Sequence, residues 1–388
     1  MKIFAYNDFI LKKWDDSVYS DDSHILFIKA TCQDHFDSFK LGSRVSKEAS
    51  LGFYHFSNQS SEVLELPYYD SVADFLKKPS LFWKSYKLLK SQLKEFDLFW
   101  ITWPHPVSFL ILWMFGSKKP VVLFVRQNLE ALIDVRYRGV QRAIGLLFTR
   151  LVYKYAAFFH PQAILVTVGE EMYHRLSPDF SAATYVSDSI VPEEFACEPR
   201  TGGFFDPIKL LFVGRLEPEK GLNVLIEAVK LISQKKSVRL SLIGDGISRD
   251  EAKELVERLG LTSSVSFEGY VPFGEKLFSI YRDHDILMIS SFSEGLPKIV
   301  NEARAFALPV VSTEVGGIAN ELKHEQTCLF VKPGNPAQLA EAALRLTSDL
   351  DLYSKISRNL SEEFQENSLQ FWSKKFSDFV KINLNTEK

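Results

Sequence analysis

Short runs of β-branched and aromatic residues alternate along the chain with longer amphipathic stretches. This alternation is typical of βαβ units, which build a mostly parallel sheet with helices on its faces. The strands predicted in the first half are Lys2–Tyr6, Ile25–Lys29, Val63–Leu66, Asp97–Thr102, Val121–Arg126 and Ala163–Val168. Those predicted in the second half are Ile208–Gly214, Arg239–Ile243, Val265–Glu268, Ile286–Ile289, Val310–Ser312 and Leu329–Val331. The pattern predicts two open α/β sheets.

A change in pattern between the halves predicts a domain boundary. The segment Glu198–Pro207, EPRTGGFFDP, interrupts every hydrophobic period with proline and glycine. A chain of 388 residues is also long for one domain. We therefore expect a first domain over residues 1–201 and a second over residues 202–365. Both are expected to be doubly wound, Rossmann-like α/β domains, and the two would face a central cleft.

Composition narrows the function classes. The chain has 46 Lys and Arg against 49 Asp and Glu, so nothing in the overall charge favours nucleic acid as a partner. Its hydrophobic fraction of 46% is that of a soluble globular protein. The three cysteines are far apart, which argues against a disulfide framework or a zinc site. The start, MKIFAYNDF, does not resemble a secretory signal, so we expect a cytoplasmic protein.

The densest chemical signal runs from Ser291 to Glu321. Glu294 and Gly295 precede a helix predicted to begin at Pro297, whose N-terminus suits an anion. Glu302 lies inside that helix, and two carboxylates at this spacing suit the hydroxyls of a sugar. The alternative is that Glu294 supports the helix cap and Glu302 is a solvated helix residue.

A second cluster follows the strand IKLLFVG. Arg215 and Lys220 lie there on a strand-to-helix turn, where guanidinium and ammonium groups suit a diphosphate. The alternative is ordinary ion pairing of these cations with Glu217 and Glu219.

Together these segments resemble the donor-binding domain of the family 4 retaining glycosyltransferases, which have the GT-B fold and use nucleotide-sugar donors. The resemblance covers Ile208–Asp349. The motifs that carry it are GRLEPEKG at Gly214–Gly221, the E-x7-E pair Glu294 and Glu302, LPVV at Leu308–Val311 and EVGGIANE at Glu314–Glu321. Ala307 stands where the family usually has glycine, and we expect this difference to affect packing more than chemistry.

The resemblance implies the roles of the site residues. Arg215 and Lys220 would hold the donor diphosphate, Glu302 the ribose, and Glu294 the transferred sugar. The other expected donor-site residues are Gly244, Val271, Gly295, Leu296 and Pro297. The resemblance further implies retention of anomeric configuration and no cofactor, with the nucleotide sugar as a substrate. We also predict no metal, because Arg215 and Lys220 can stabilise the departing diphosphate and the Asp-x-Asp segment Asp349–Asp351 is expected to cap a helix. A UDP-sugar is the leading expectation for the donor, although the base stays open.

The first domain is expected to bind the acceptor. His105, in a loop after a strand, is a catalytic candidate that would contact the sugar or phosphate; the alternative is a buried or capping histidine. Arg126, Gln127 and Asn128 follow another strand and could contact acceptor hydroxyls, or serve only as loop hydrogen bonds. The first strand is not followed by the Gly-Gly turn that the family often has there, which puts donor contact from that loop in doubt. The resemblance also implies that residues 366–388 form a helix that returns to the first domain.

Two basic amphipathic segments suggest a membrane surface. Leu81–Lys94 carries Lys84, Lys87, Lys90 and Lys94 along one side, and Arg138–Phe159 combines cations with many Leu, Phe and Tyr. Both could lie on an anionic membrane, and the protein would then be a peripheral protein on the inner face of that membrane. The alternative is that both are ordinary Rossmann helices with snorkelling cations.

The leading hypothesis is a retaining glycosyltransferase that moves a sugar from a nucleotide donor to a glycan or lipid-linked glycan, in cell-surface polysaccharide biosynthesis. The alternatives are a nucleotide-sugar epimerase or phosphorylase on the same fold, and a non-catalytic partner of another transferase.

Overall fold

The computed structural model describes residues 1–46, 50, 52–130, 133, 138–187, 190–203, 205–294 and 298–385. The chain divides into two compact units. The first comprises Met1–Ile190 with Leu369–Lys388, and the second comprises Val191–Ser368.

The first unit is built on a mixed nine-stranded sheet, counted over the described residues. Its strands are β1 (Lys2–Trp14), β2 (Ser17–Ser20), β3 (Ser38–Val45), β4 (Tyr54–Ser57), β5 (Val63–Leu66), β6 (Leu98–Thr102), β7 (Val121–Val125), β8 (Ile164–Val168) and β9 (Ala182–Val186). Its helices are α1 (His24–His35), α2 (Val72–Lys77), α3 (Pro79–Gln92), α4 (Pro106–Phe115), α5 (Gly139–Phe159) and α6 (Glu170–Leu176). The sheet order is β4-β2-β1-β6-β7-β8-β9, with β3 paired to β1 and β5 to β3.

The second unit is built on a six-stranded parallel sheet in the order β12-β11-β10-β13-β14-β15. Its strands are β10 (Ile208–Val213), β11 (Val238–Ile243), β12 (Val265–Gly269), β13 (Ile286–Ile289), β14 (Val310–Thr313) and β15 (Cys328–Val331). Its helices are α7 (Leu222–Ser233), α8 (Arg249–Arg258), α9 (Glu275–Asp283), α10 (Lys298–Ala305), α11 (Ile318–Glu321), α12 (Pro336–Ser348) and α13 (Leu350–Phe364). The strand order reverses between β10 and β13, which is where open α/β sheets bind ligands.

One predicted strand is wrong. Ile25–Lys29 is the beginning of helix α1, which runs on to His35. The buried residues of α1 are His24, Ile25, Phe27, Ile28, Thr31 and Cys32, which follow the helical rather than the strand period. A short apolar run such as ILFI fits either element, and only the longer buried pattern decides between them.

The first strand is longer than predicted. β1 continues through NDFILKKW to Trp14, with an irregularity in its pairing to β3 between Tyr6 and Ile10. The chain after Tyr6 is therefore a strand and not the loop expected from the resemblance. Asn7 and Asp8 lie at this irregularity.

The segment around Gly202 belongs to the second unit. Val191 already packs in the core of that unit. Arg200 holds the following residues in place, because its guanidinium donates to the carbonyl oxygens of Tyr281, His284 and Phe306. The structure thus divides the chain between Ile190 and Val191 rather than near Gly202.

The last helix of the chain, α14 (Leu369–Asn385), belongs to the first unit. It packs against α1, and the Phe376 ring lies 4.4 Å from the Trp100 ring of β6. Among the helices that the structure describes, none has both the length and the apolar character needed to cross a membrane.

Candidate active site

Two loops meet at the switch point of the second sheet. The turn Gly214–Gly221 follows β10, and the loop Ser290–Glu294 follows the neighbouring strand β13. Ser290 Oγ donates to the carbonyl oxygen of Lys220 at 2.8 Å, and the amide of Phe292 donates to the carbonyl oxygen of Glu219 at 2.7 Å. These bonds join the two clusters found in the sequence into one site.

An ion pair between Lys220 and Glu294 forms the centre of this site. Lys220 Nζ lies 2.6 Å from Glu294 Oε1, and Ser291 Oγ donates to the same oxygen at 2.7 Å. The side chains of Lys220 and Glu294 are only 17% and 8% exposed. Lys220 therefore pairs across the two loops with Glu294, whereas the alternative interpretation paired it with Glu217 or Glu219.

Arg215 lies at the edge of the same turn and is much more open. Its side chain is 75% exposed, and its guanidinium lies 3.6 Å from Glu219 Oε1. An exposed pair of this kind contributes little to stability. The guanidinium can therefore leave Glu219 for a better anion at small cost.

Glycines let the backbone approach the ion pair closely. Gly316 has a φ of +47°, and a Cβ atom there would lie 2.0 Å from the carbonyl oxygen of Glu294. The amide of Gly317 donates to that same oxygen at 3.2 Å. The EVGG turn thus fixes the backbone of Glu294, and a side chain at residue 316 would push it away.

Gly244 has a comparable role in the neighbouring turn. Its φ is +135°, and a Cβ atom would lie 1.9 Å from the carbonyl oxygen of Gly214. The ends of β10 and β11 approach each other only because residue 244 lacks a side chain. This accounts for Gly244 structurally, and its contact with a nucleotide stays a prediction.

Glu302 is buried in helix α10, so the alternative interpretation of it as a solvated residue is wrong. Its Oε2 accepts a hydrogen bond from the hydroxyl of Tyr281 on α9. Burial raises the pKa of the Glu302 carboxyl, although the hydrogen bond from Tyr281 and the charge of Lys298 act in the opposite direction. A hydrogen bond from a ligand hydroxyl would stabilise a buried carboxylate of this kind.

We expect the Glu302→Gln variant to be more stable than the wild type at neutral pH. Because the folded pKa of Glu302 is raised, the wild type loses stability as the pH rises from the unfolded pKa, about 4.3, through the folded pKa. Glutamine removes this loss and still accepts the bond from Tyr281. Thermal melting of the ligand-free protein should show a higher midpoint for the variant at pH 7 and no difference below about pH 4, each kcal/mol shifting the midpoint by about 2–4 °C.

Glu227→Gln, which changes an exposed glutamate of α7, is the matched control and should leave the midpoint unchanged. A lower midpoint for Glu302→Gln at pH 7 would show that the carboxylate stabilises the fold rather than straining it.

The other predicted donor-site residues have different surroundings. Val271 is buried in the hydrophobic core beyond β12, so its side chain is withdrawn from any ligand, and contact through its backbone stays a prediction. Gly295, Leu296 and Pro297 lie outside the described residues. Asp349, in the Asp-x-Asp segment Asp349–Asp351, accepts the amide of Leu352 at 3.0 Å and caps helix α13.

The first unit carries a cavity of about 320 Å³ at the carboxyl ends of β6 and β7. Its lining includes His105, Arg126 and Gln127, which the sequence singled out, together with Asp8. Arg126 lies 3.4 Å from Asp22 Oδ2. Asn128 is not part of the lining, because it bonds to Glu171 and Arg175 and holds its loop against α6.

His105 is engaged at both ring nitrogens. Its Nδ1 accepts the amide of Val107 at 3.2 Å and thereby caps helix α4, and the Tyr6 hydroxyl lies 2.7 Å from the same nitrogen. An amide can only donate, so Nδ1 is an acceptor and the ring proton lies on Nε2. Nε2 lies 3.2 Å from Asp8 Oδ2 and 3.2 Å from the Tyr69 hydroxyl. The buried and capping interpretation of His105 thus describes its geometry, and its contact with a sugar stays a prediction.

Asp8 is the charged centre of this network and was missed by the sequence analysis. The Tyr69 hydroxyl donates to Asp8 Oδ1 at 2.6 Å, and Arg44 Nε lies 3.0 Å from the same oxygen. Burial opposes ionisation of Asp8, but the hydrogen bonds from His105 and Tyr69 and the charge of Arg44 hold the pKa of the carboxyl below its usual range. Its signal in the sequence was the polar pair Asn7-Asp8 after the predicted first strand.

Comparison with known proteins bears directly on the second unit. Residues 207–349 match the family described as Glycosyl transferases group 1. By this match, the segment resembles a group 1 glycosyltransferase domain. Lys220, Glu294 and Glu302 all lie within the matched residues, together with the paired loops and the buried carboxylate.

Curated relatives match only part of the chain. A glycosyltransferase of Methanocaldococcus jannaschii, MJ1607, is 34% identical over 161 residues, which cover 42% of this chain and 41% of the relative. The amylovoran biosynthesis glycosyltransferase AmsK of Erwinia amylovora is 28% identical over 203 residues, which cover 50% and 49%. The chain therefore spans about half or less of the length of these two relatives.

Solved structures match the whole chain and show the GT-B fold. Anabaena Alr3699/HepE in complex with UDP aligns with a TM-score of 0.70 and 17% identity, over 98% of this chain and 100% of that one. Sucrose-phosphate synthase from Thermosynechococcus elongatus aligns with a TM-score of 0.69 and 16% identity, over 99% of each chain. The expected fold class is thus confirmed.

Ala307, where the resemblance leads us to expect glycine, has an unusual backbone conformation. Ala307 has a φ of +46°, in the left-handed region that favours glycine. Its carbonyl oxygen accepts the Ser357 hydroxyl at 2.7 Å, which holds the strained residue in place.

Proposed function

We propose that the protein is a retaining glycosyltransferase that moves a sugar from a nucleoside diphosphate sugar to a glycan or lipid-linked glycan. The observation that carries the proposal is the Lys220–Glu294 pair at the switch point of a segment that resembles a group 1 glycosyltransferase domain. The likeness to an amylovoran biosynthesis enzyme supports a setting in cell-surface polysaccharide assembly.

The donor would bind across the joined loops. Lys220 and the exposed Arg215 supply cations for the diphosphate, and Glu302 supplies a buried acceptor for the ribose hydroxyls. When the diphosphate takes the ammonium of Lys220, Glu294 becomes free to accept hydroxyls of the transferred sugar. UDP is the favoured nucleotide, because Alr3699/HepE, which shares the fold, was solved with UDP and with UDP-glucose.

The chemistry follows from the charge that develops on the leaving group. The bond from the anomeric carbon to the phosphate oxygen breaks, and the acceptor oxygen bonds to that carbon on the same face, so the configuration is retained. The acceptor proton passes to the departing phosphate oxygen. Fixed cations stabilise the diphosphate that forms, which is the part we assign to Lys220 and Arg215 in a reaction without a metal.

The acceptor would bind in the cavity of the first unit. Asp8 stays ionised there and accepts a sugar hydroxyl, while Arg126 and Gln127 offer donors. We assign His105 a positioning role, because both of its ring nitrogens hold neighbouring groups.

A crystal structure of the protein with UDP tests the proposal. We expect the diphosphate within hydrogen-bond distance of Lys220 Nζ and the ribose hydroxyls at Glu302. Nucleotide bound away from the carboxyl ends of β10 and β13 would contradict the assignment of the site.

A further inference from the structure

Helix α5 of the first unit exposes a wide apolar face. Its inner side packs on the sheet through Thr149, Val152, Tyr153 and Ala156. Its exposed apolar side chains are Val140, Ile144, Leu147, Phe148, Leu151, Phe158 and Phe159. Positions 140, 144, 147, 148 and 151 follow the helical period, so these side chains share one side of the helix. A helix that packs on a sheet and stays in water normally shows polar residues on that side.

The neighbouring helices α3 and α4 extend this apolar surface. Trp113 of α4 is 66% exposed, and Trp83 of α3 is 57% exposed. Ring contacts place the three helices side by side, because Tyr86 of α3 lies 6.2 Å from Trp113, and Phe109 of α4 lies 5.9 Å from Tyr155 of α5. We call the exposed apolar side chains of α3, α4 and α5 the docking face.

The charged residues on helices α3, α4 and α5 all have one sign, and of their cations Arg150 lies 4.0 Å from the carboxylate of Glu130, outside these helices. Helices α3, α4 and α5 contain no aspartate or glutamate. Their exposed cations are Lys84, Lys87, Lys90, Arg142, Arg150 and Lys154. Such a surface suits an anionic lipid bilayer. The apolar and aromatic side chains can insert at the interface, and the cations are attracted to the anionic headgroups.

The same charges argue against a second copy of the chain as the occupant. A two-fold dimer through the docking face would bring identical patches together. Lysines and arginines of the two copies would then face each other, with no carboxylates from these helices to pair with them.

We propose that the docking face of α3, α4 and α5 seats the protein on an anionic bilayer, with the apolar side chains of α5 in the interface. This attachment goes beyond sugar transfer and does not depend on it. The sequence alone left open whether α5 is a membrane-surface helix or an ordinary Rossmann helix. The exposed side of α5 is apolar, whereas an ordinary Rossmann helix has a polar, solvated face, and this favours the membrane surface.

Sedimentation with lipid vesicles tests the proposal. We expect the wild type to bind vesicles of equimolar phosphatidylcholine and phosphatidylglycerol, to bind pure phosphatidylcholine much more weakly, and to detach as salt rises. The Phe148→Ser/Leu151→Ser variant should partition at least about tenfold more weakly, because it removes apolar groups from the interface. The Arg150→Gln/Lys154→Gln variant should lose part of the preference for phosphatidylglycerol.

Ile247→Ser/Ile382→Ser, which alters two exposed apolar side chains outside the docking face, is the matched control and should bind as the wild type does. Failure of the wild type to bind the anionic vesicles, or undiminished binding by Phe148→Ser/Leu151→Ser, would overturn the proposal. The proposal would also be overturned if the wild type formed a dimer without lipid and the Phe148→Ser/Leu151→Ser variant were monomeric, because the docking face would then serve self-association. The assay uses no nucleotide, so its failure is distinct from a failure of the proposed transferase activity.

Discussion

Lys220→Ala is expected to weaken the binding of UDP about 10- to 100-fold, because a hydrogen bond to a charged group contributes roughly 1.5–3 kcal/mol. Lys220 is largely buried and is held by Glu294 at the meeting point of two loops, so its ammonium is already oriented for a diphosphate. The dissociation constant, measured by calorimetry, checks this expectation.

Lys236→Ala, at an exposed lysine beyond α7, is the control and should bind UDP normally. A thermal midpoint measured alongside separates loss of the fold from loss of the site, since Lys220→Ala also leaves Glu294 without its cation. Normal UDP affinity in a folded Lys220→Ala protein would rule out Lys220 as the diphosphate ligand.

Glu294→Gln is expected to separate binding from turnover. Glu294 neutralises Lys220 in the ligand-free protein, so its loss frees the ammonium for the diphosphate and should leave UDP affinity unchanged or raised. Sugar transfer should fall about 10²- to 10³-fold, the usual effect of removing one group that stabilises the transition state. The rate of nucleotide release from the donor in the presence of acceptor measures turnover, and the dissociation constant of UDP measures binding.

Ser291→Ala provides a milder comparison, because it removes one hydrogen bond to Glu294 and keeps the carboxylate. We expect it to reduce transfer far less than Glu294→Gln does. Equal transfer by Glu294→Gln and the wild type would remove Glu294 from the reaction. UDP binding with no transfer by either protein would instead favour a protein that binds nucleotides without catalysis.

The fold was largely predictable because buried parallel strands are short apolar runs with clear ends. β6, β10 and β13 were predicted within a residue or two of their observed bounds. ILFI was misassigned because four apolar residues fit a buried strand and a buried helix equally well. The extension of β1 to Trp14 was missed because Asn7 and Asp8 interrupt the apolar pattern at the irregularity in the strand.

The sequence predicted which residues belong to the candidate site but not which of their side chains contact each other. Lys220 and Glu294 are 74 positions apart, and local spacing offered Glu217 and Glu219 as partners instead. The network around Asp8 joins four separate segments and has no local signature. Periodicity also could not tell which side of α5 packs on the sheet, because both sides are apolar.

The most direct test of the central claim is thermal-shift screening of the protein against UDP, GDP, ADP and their sugars, with and without EDTA. A ligand that binds only the native state raises the midpoint, by an amount that grows with its concentration over the dissociation constant. We predict a shift for UDP or a UDP-sugar that persists in EDTA and is reduced in Arg215→Ala and Lys220→Ala. A shift that EDTA abolishes would contradict metal independence, and no shift with any nucleotide would contradict the donor site itself.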